Sequence, residues 1–101
     1  MDRFLTQDNW SVGDIIEADK VFYEIVSITK SGAPRVDRVI TKHVNEFSHP
    51  LQWSADIQLT DERRGAPFAI RWSKKEECYL IKGNVAFRYD PNYTYSESTY
   101  N

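Results

Sequence analysis

The stretch VGDIIEADKVFYEIVSITKSG, residues 12–32, decides how this chain is read. Two runs rich in β-branched and aromatic residues flank Asp19 and Lys20, and a turn signal, Ser31-Gly32-Ala33-Pro34, closes the second run. Such runs bounded by turn residues are strands. Ile15–Ala18 is expected to pair antiparallel with residues 21–29 across a tight turn at Asp19-Lys20. Gly13 and Asp14 set the preceding turn, and Ile15, Val21, Tyr23 and Ile25 are core candidates. Residues 21–29, VFYEIVSIT, are apolar on both faces, as in a central strand.

Working outward, the period of two recurs. In LQWSADIQL (51–59), Leu51, Trp53, Ala55, Ile57 and Leu59 alternate with polar residues. Side chains alternate faces along a strand, so this segment has one apolar and one wet face. RVDRVIT (35–41) alternates through Val36 and Val39, and PFAIRW (67–72) through Phe68, Ile70 and Trp72. CYLIK (78–82) and VAFRY (85–89) are joined by Gly83-Asn84, a two-residue hairpin signal. Lys74–Glu77, KKEE, suits a four-residue loop. DERRG (61–65) suits a turn or one helical turn capped by Thr60. The best helical candidates, DRFLTQDN (2–9) and ITKHVNEFS (40–48), are short. The pattern predicts a mainly β domain, a small antiparallel barrel or sandwich of five to seven short strands with at most one or two short helices. It would span residues 1–89, with an extended tail over 90–101.

Val12, Gly13, Asp14, Ile15, Ile16, Tyr23, Ile25 and Val26 resemble the first hairpin of SH3-like barrels of the KOW and Tudor types. In these a Val-Gly-Asp turn leads into a short strand, a turn and a longer strand. The resemblance covers about a fifth of the chain and implies a small barrel associated with nucleic acid. Residues 41–66 make a longer middle than a minimal barrel of this type requires.

Composition narrows the function. The 101 residues fit one domain, and 14% aromatic residues exclude a disordered chain. The net charge of −2 gives no global basic field for coating nucleic acid. Charge is uneven, however: residues 20–43 hold Lys20, Lys30, Arg35, Arg38 and Lys42 against Glu24 and Asp37. A lone cysteine, Cys78, cannot close an intrachain disulfide, which points to a reducing cytoplasm. No apolar run approaches the roughly 20 residues of a membrane helix, and the first residues lack the pattern of a secretion signal.

Candidate chemistry is sparse. His43, Glu46 and His49 have the wrong spacing for a metal cage on one helix face, and no cysteine adjoins them to complete a zinc site. Cys78 reads as a core cysteine at the start of a buried strand rather than a nucleophile. Asp14, Glu17 and Asp19 are expected to face solvent. The four glycines are isolated, so no phosphate-cradling loop exists. The sequence therefore predicts no catalytic residues, no metal and no cofactor.

The leading expectation is a non-enzymatic binding protein. The tail YDPNYTYSESTYN (89–101) sets Tyr89, Tyr93, Tyr95 and Tyr100 among small polar residues. Tyrosines give large contact area at low entropy cost, and an extended tail can add a strand to a partner or to another copy of the chain. Tyr93, Tyr95, Tyr100 and, from the other end, Trp10 are the expected protein-contact residues. In general style the chain resembles the small accessory proteins of bacteriophages that bind and inhibit a host or defence protein. The alternative is a nucleic-acid-associated barrel in which Lys30, Arg35, Arg38 and Lys42 meet phosphates, with Phe22, Tyr23 or Phe47 beside them for base stacking. A third reading is an oligomer that sequesters a small molecule; a homodimer is compatible with each.

Overall fold

The structure, a computed structural model, describes residues 4–49, 52–91 and 96–100, with side chains described over 4–43 and 57–91. Strands β1 (Ile15–Ala18) and β2 (Val21–Ile28) form the expected hairpin, with Ile16 opposite Tyr23 and Ala18 opposite Val21. Asp19 and Lys20 take φ of 52° and 62°, the left-handed pair that a two-residue hairpin of matching twist requires. The Lys20 N–H donates to Glu17 Oε2 at 2.7 Å. Glu17 is consequently buried, 8% exposed, rather than facing solvent as its sequence position suggested.

The larger sheet has the order β10 (Ser96–Tyr100), β4 (Gln52–Arg63), β3 (Pro34–His49), β2, β1, β9 (Phe87–Arg88), and β5 (Phe68–Ala69) also pairs with β3. A second sheet has the order β6 (Arg71–Ser73), β7 (Cys78–Ile81), β8 (Asn84–Val85). Every pairing is antiparallel. Alternation along β1 and β2 sends Ile16, Ala18, Tyr23 and Ile25 to one face, where they meet Val36, Ile70, Tyr79, Ile81 and Ala86 in the main core. Phe22 points to the other face and packs with Val39, Ile15, Ile57, Leu59 and Tyr89. Both faces of β2 are covered, as its composition predicts. The mainly β, antiparallel expectation is met by two packed sheets. Among the described residues the larger sheet does not close into a barrel, because β9 and β10 end it without meeting.

Several expectations require correction. Among the described residues ten strands replace five to seven, because β5, β8 and β9 are two-residue pieces with no sequence period of their own. There is no helix among the described residues. ITKHVNEFS lies within β3, where Thr41, Val44 and Phe47 pair with Leu59, Asp56 and Trp53 of β4. In the other helical candidate, Phe4 bridges Phe87 and Leu5 N–H donates to the Ala86 carbonyl. DERRG is neither turn nor helix at its start, since β4 runs through Arg63. The last tight turn is Lys82-Gly83, one residue earlier than expected, with φ of 52° and 83°. The KKEE loop stands as predicted, closed by Ser73 opposite Cys78.

β3 and β4 are the longest strands among the described residues. β2 pairs with β3 only from Pro34 to Arg38. Beyond that point β3 continues through His49, paired with β4 alone, and β10 flanks β4 over Gln52–Asp56. Eleven further residues of strand reach about 36 Å. The molecule accordingly measures 52 × 29 × 23 Å, with a radius of gyration of 15.1 Å against about 13 Å for an ordinary domain of this length.

Where this arm meets the core, Glu24 of β2 stands directly opposite Asp37 of β3. Like charges so placed repel. Arg63 Nε donates to Glu24 Oε1 at 2.7 Å. Asp37, 6% exposed, accepts from the N–H groups of Gly65 (3.0 and 3.1 Å) and Ala66 (3.3 Å). Gly65, at φ 82°, supplies the left-handed backbone that aims both N–H groups at one carboxylate. Asp37→Ala leaves these donors without their acceptor, and is expected to cost about 2 kcal/mol. Thermal unfolding should show Tm lowered by roughly 10 °C, with Asp37→Asn intermediate; an unchanged Tm would remove this clamp from the account of stability.

Candidate functional site

The arm and its root form the most distinctive surface of the molecule. Of the four cations expected to form a patch, Lys30 is exposed in the β2–β3 turn and Arg35 is half-buried, with Nη2 donating to the Pro67 carbonyl at 3.4 Å. Arg38 and Lys42 are exposed four residues apart on β3, hence on one face and about 13 Å from each other along the strand. Arg35 lies on the opposite face by alternation, and Lys30 lies beyond the far end of the strand. The four do not converge. Arg64 joins Arg38 instead: its N–H donates to the Arg38 carbonyl at 2.9 Å, and both line a shallow cleft of about 290 Å³ with Val39, Ile40 and Thr41. The Arg63-Arg64 pair was the sequence signal for this, read earlier only as part of a turn. Phe22 and Tyr23, candidate stacking partners, are buried at 0% and 4% exposure and unavailable to a base.

The arm's register continues a core face outward. Ile57 and Leu59 of β4 pack at its root against Phe22 and Val39. Farther out, Ala55 pairs with Asn45, and Trp53 pairs with Phe47 of β3 and Thr99 of β10. The side chains of these outer residues lie outside those described.

β3 also has an open edge. The carbonyls of Pro34, Arg38 and Ile40 accept from Ile70 N–H, Arg64 N–H and the Thr60 hydroxyl, all on the β4–β5 side. Successive residues of an antiparallel strand direct their backbone groups to alternate sides. Even-numbered residues of β3 therefore serve β4, and odd-numbered residues face the other side. Up to Arg38 that side is filled by β2; beyond it, among the described residues, no strand pairs there.

The remaining candidates divide clearly. Trp10 is half-buried against the main core, its indole N–H enclosed beside the Tyr79 phenol without a well-formed hydrogen bond. It lines a cleft of about 190 Å³ with Asp14, Arg88 and Tyr89. Tyr89 stacks edge-on against Phe22 at 5.8 Å. Ser96–Tyr100 of the tail pairs with β4 of its own chain, Tyr100 opposite Gln52. Tyr93 and Tyr95 lie outside the described residues. His43 is exposed on β3, and the side chains of Glu46 and His49 lie outside those described. Comparison with family models, curated proteins and solved structures yields no match. No helix among the described residues is long and apolar enough to cross a membrane.

Three buried titratable groups are shifted by their surroundings: Tyr23 and Tyr79 in the main core, and Cys78 at the start of β7. Burial pushes the Cys78 thiol up, with the Glu76 carboxylate adding to it. Burial likewise raises the Tyr79 phenol, partly offset by Trp10, and the Tyr23 phenol, where Arg38 opposes and Asp19 assists. Each folded group keeps its proton above the pH at which the unfolded chain releases it. The unfolded state then binds fewer protons, so stability falls as pH rises. Urea midpoints should be level up to the ordinary thiol value of 9.0 and decline from there through the ordinary phenol value of 10.0. Cys78→Ala should flatten the onset of that decline. A midpoint that rises over this window would contradict the assignment.

Proposed function

We propose that this chain is a non-enzymatic binding protein that works by laying its β3–β4–β10 arm against a protein partner. The observation that carries the reading is the extension of β3, β4 and β10 beyond β2, with Ile57 and Leu59 packed at the root and the apolar alternation of the sequence running on to Ala55 and Trp53. A flat face with an apolar stripe and an aromatic position near its end is suited to occluding a partner's surface. Trp and Tyr anchors dominate the energetics of such contacts. The aromatic-rich, acidic chain fits the style of a phage accessory protein acting on a host or defence protein in a reducing cytoplasm. In that reading β10, which ends at Tyr100, makes the end of the tail part of the same contact element.

The test is affinity capture from a lysate of the source cell after mild cross-linking, using the full chain and two variants. In the first, residues 45–55 are replaced by Asn-Gly, which closes the hairpin at the hydrogen-bonded pair Val44 and Asp56. In the second, Trp53→Ala removes the anchor. Both should keep the near-ultraviolet spectrum of the core. The trimmed chain should lose the partner, and Trp53→Ala should weaken it about 30-fold, the effect of about 2 kcal/mol. Unaltered capture by the trimmed chain would end this reading.

A nucleic-acid role has one specific support, the adjacent Arg38 and Arg64 with Lys42 on the same strand. The SH3-like character of residues 12–28 agrees with it, but the burial of Phe22 and Tyr23 removes the stacking platform. Fluorescence anisotropy with single- and double-stranded oligonucleotides across a salt series is expected to show only weak binding, abolished by moderate salt. Tight, salt-sensitive binding lost in Arg38→Ala/Arg64→Ala would reverse the preference.

A further inference from the structure

We propose that the open edge of β3 receives a second copy of this chain, antiparallel and centred on Val44, so that two arms form one six-stranded sheet. The inference rests on the arm being the contact element and assigns what meets its edge. The order across the two copies would be β10, β4, β3, then β3, β4, β10 of the second copy.

The backbone sets the first condition. Odd-numbered residues of β3 beyond Arg38 direct N–H and C=O to the open edge. A two-fold axis at any single residue matches odd with odd and keeps the ladder. Around Val44 it gives hydrogen-bonded pairs of His43 with Asn45 and Thr41 with Phe47. An axis between two residues would set outward-facing groups against inward-facing ones and form no ladder.

Charge then selects the register. With the axis at Val44, position 42 of each copy stands opposite position 46 of the other: Lys42 faces Glu46, twice by symmetry. An axis at Lys42 opposes two lysines, and one at Glu46 opposes two glutamates. Axes at His43 or Asn45 each set one of the charges opposite Val44 and leave both unmatched. Positions 42, 44 and 46 are the non-hydrogen-bonded ones of the new ladder, where opposing residues approach most closely and charge matching counts most. A lysine on an edge strand ordinarily deters pairing. Here it deters every register except the one in which the same segment supplies the matching glutamate. An isologous two-fold contact of this kind closes on itself and does not propagate into fibres.

The experiment is sedimentation velocity on the full chain over a wide concentration range, with far-ultraviolet dichroism to confirm that each variant is folded. The wild type should sediment at twice its 11.8 kDa mass. Lys42→Glu and Glu46→Lys should each weaken dimerisation at least about tenfold by placing like charges opposite, and the double variant should restore it. His43→Pro removes an edge-facing N–H without touching the β3–β4 ladder, and should give a folded monomer. A wild type that stays monomeric at all concentrations would overturn the proposal, as would a dimer indifferent to the charge reversals. A monomer that still captures its partner through the arm would remove the self-pairing and leave the binding function standing. A dimer behaving as described, together with partner capture that survives trimming of the arm, would do the reverse.

Discussion

The fold depends on how the chain neutralises two carboxylates that its own register forces together. Glu24 and Asp37 stand opposite one another where β2 stops and β3 goes on alone. Neither can move away, because their neighbours Ile25 and Val36 are fully buried in the core. Relief comes from one segment, Arg63 to Ala66, which brings a guanidinium to Glu24 and two backbone N–H groups to Asp37. That segment is the end of β4 and the loop after it. The returning limb of the arm is thus fastened to the core by the charges that the outgoing limb creates.

An irregularity in β4 makes this possible. Between Leu59 and Arg63 the strand carries three residues against the single Ile40 of β3. Thr60 holds the excess, its hydroxyl donating to the Ile40 carbonyl at 2.6 Å and accepting from Glu62 N–H at 3.2 Å. Arg63 Nη1 closes the bulge onto the Thr60 and Glu62 carbonyls at 2.9 and 3.0 Å. Bulges bend a strand and re-aim its side chains. This one turns Arg63 toward Glu24 while leaving Ile57 and Leu59 on the face shared with Phe22 and Val39.

How much of this the sequence discloses follows from the range of each determinant. The β1–β2 hairpin is legible because its two runs and its turn lie within a few residues of each other. Both faces of β2 read correctly because Phe22, Tyr23 and Ile25 are apolar whatever they meet. Residues 40–48 misread as a helix because Lys42, His43 and Asn45 interrupt the apolar alternation, and only pairing with LQWSADIQL makes the segment a strand. Glu17 misread because its burial depends on a bond to the Lys20 N–H, a geometric detail of the turn. The basic patch failed for a related reason: spacing along the chain took no account of alternation, which sends Arg35 and Arg38 to opposite faces. Arg64 was overlooked since its neighbour is set by the β4 bulge.

The same separation of ranges bears on what the arm is for. Near the root, Ile57 and Leu59 bury against Phe22 and Val39, so this part of the sheet is stabilised by the core. Farther out, β3 and β4 gain β10 as a third strand and, among the described residues, no other secondary structure. Two strands alone are marginal in water, and three are sustained only with an apolar face covered. β3 nevertheless runs eleven residues past its last β2 partner. It keeps its pairing with β4 across two register shifts, out to Phe47 opposite Trp53 and His49 opposite Gln52, so the outer arm is held by its strand ladders rather than by the core.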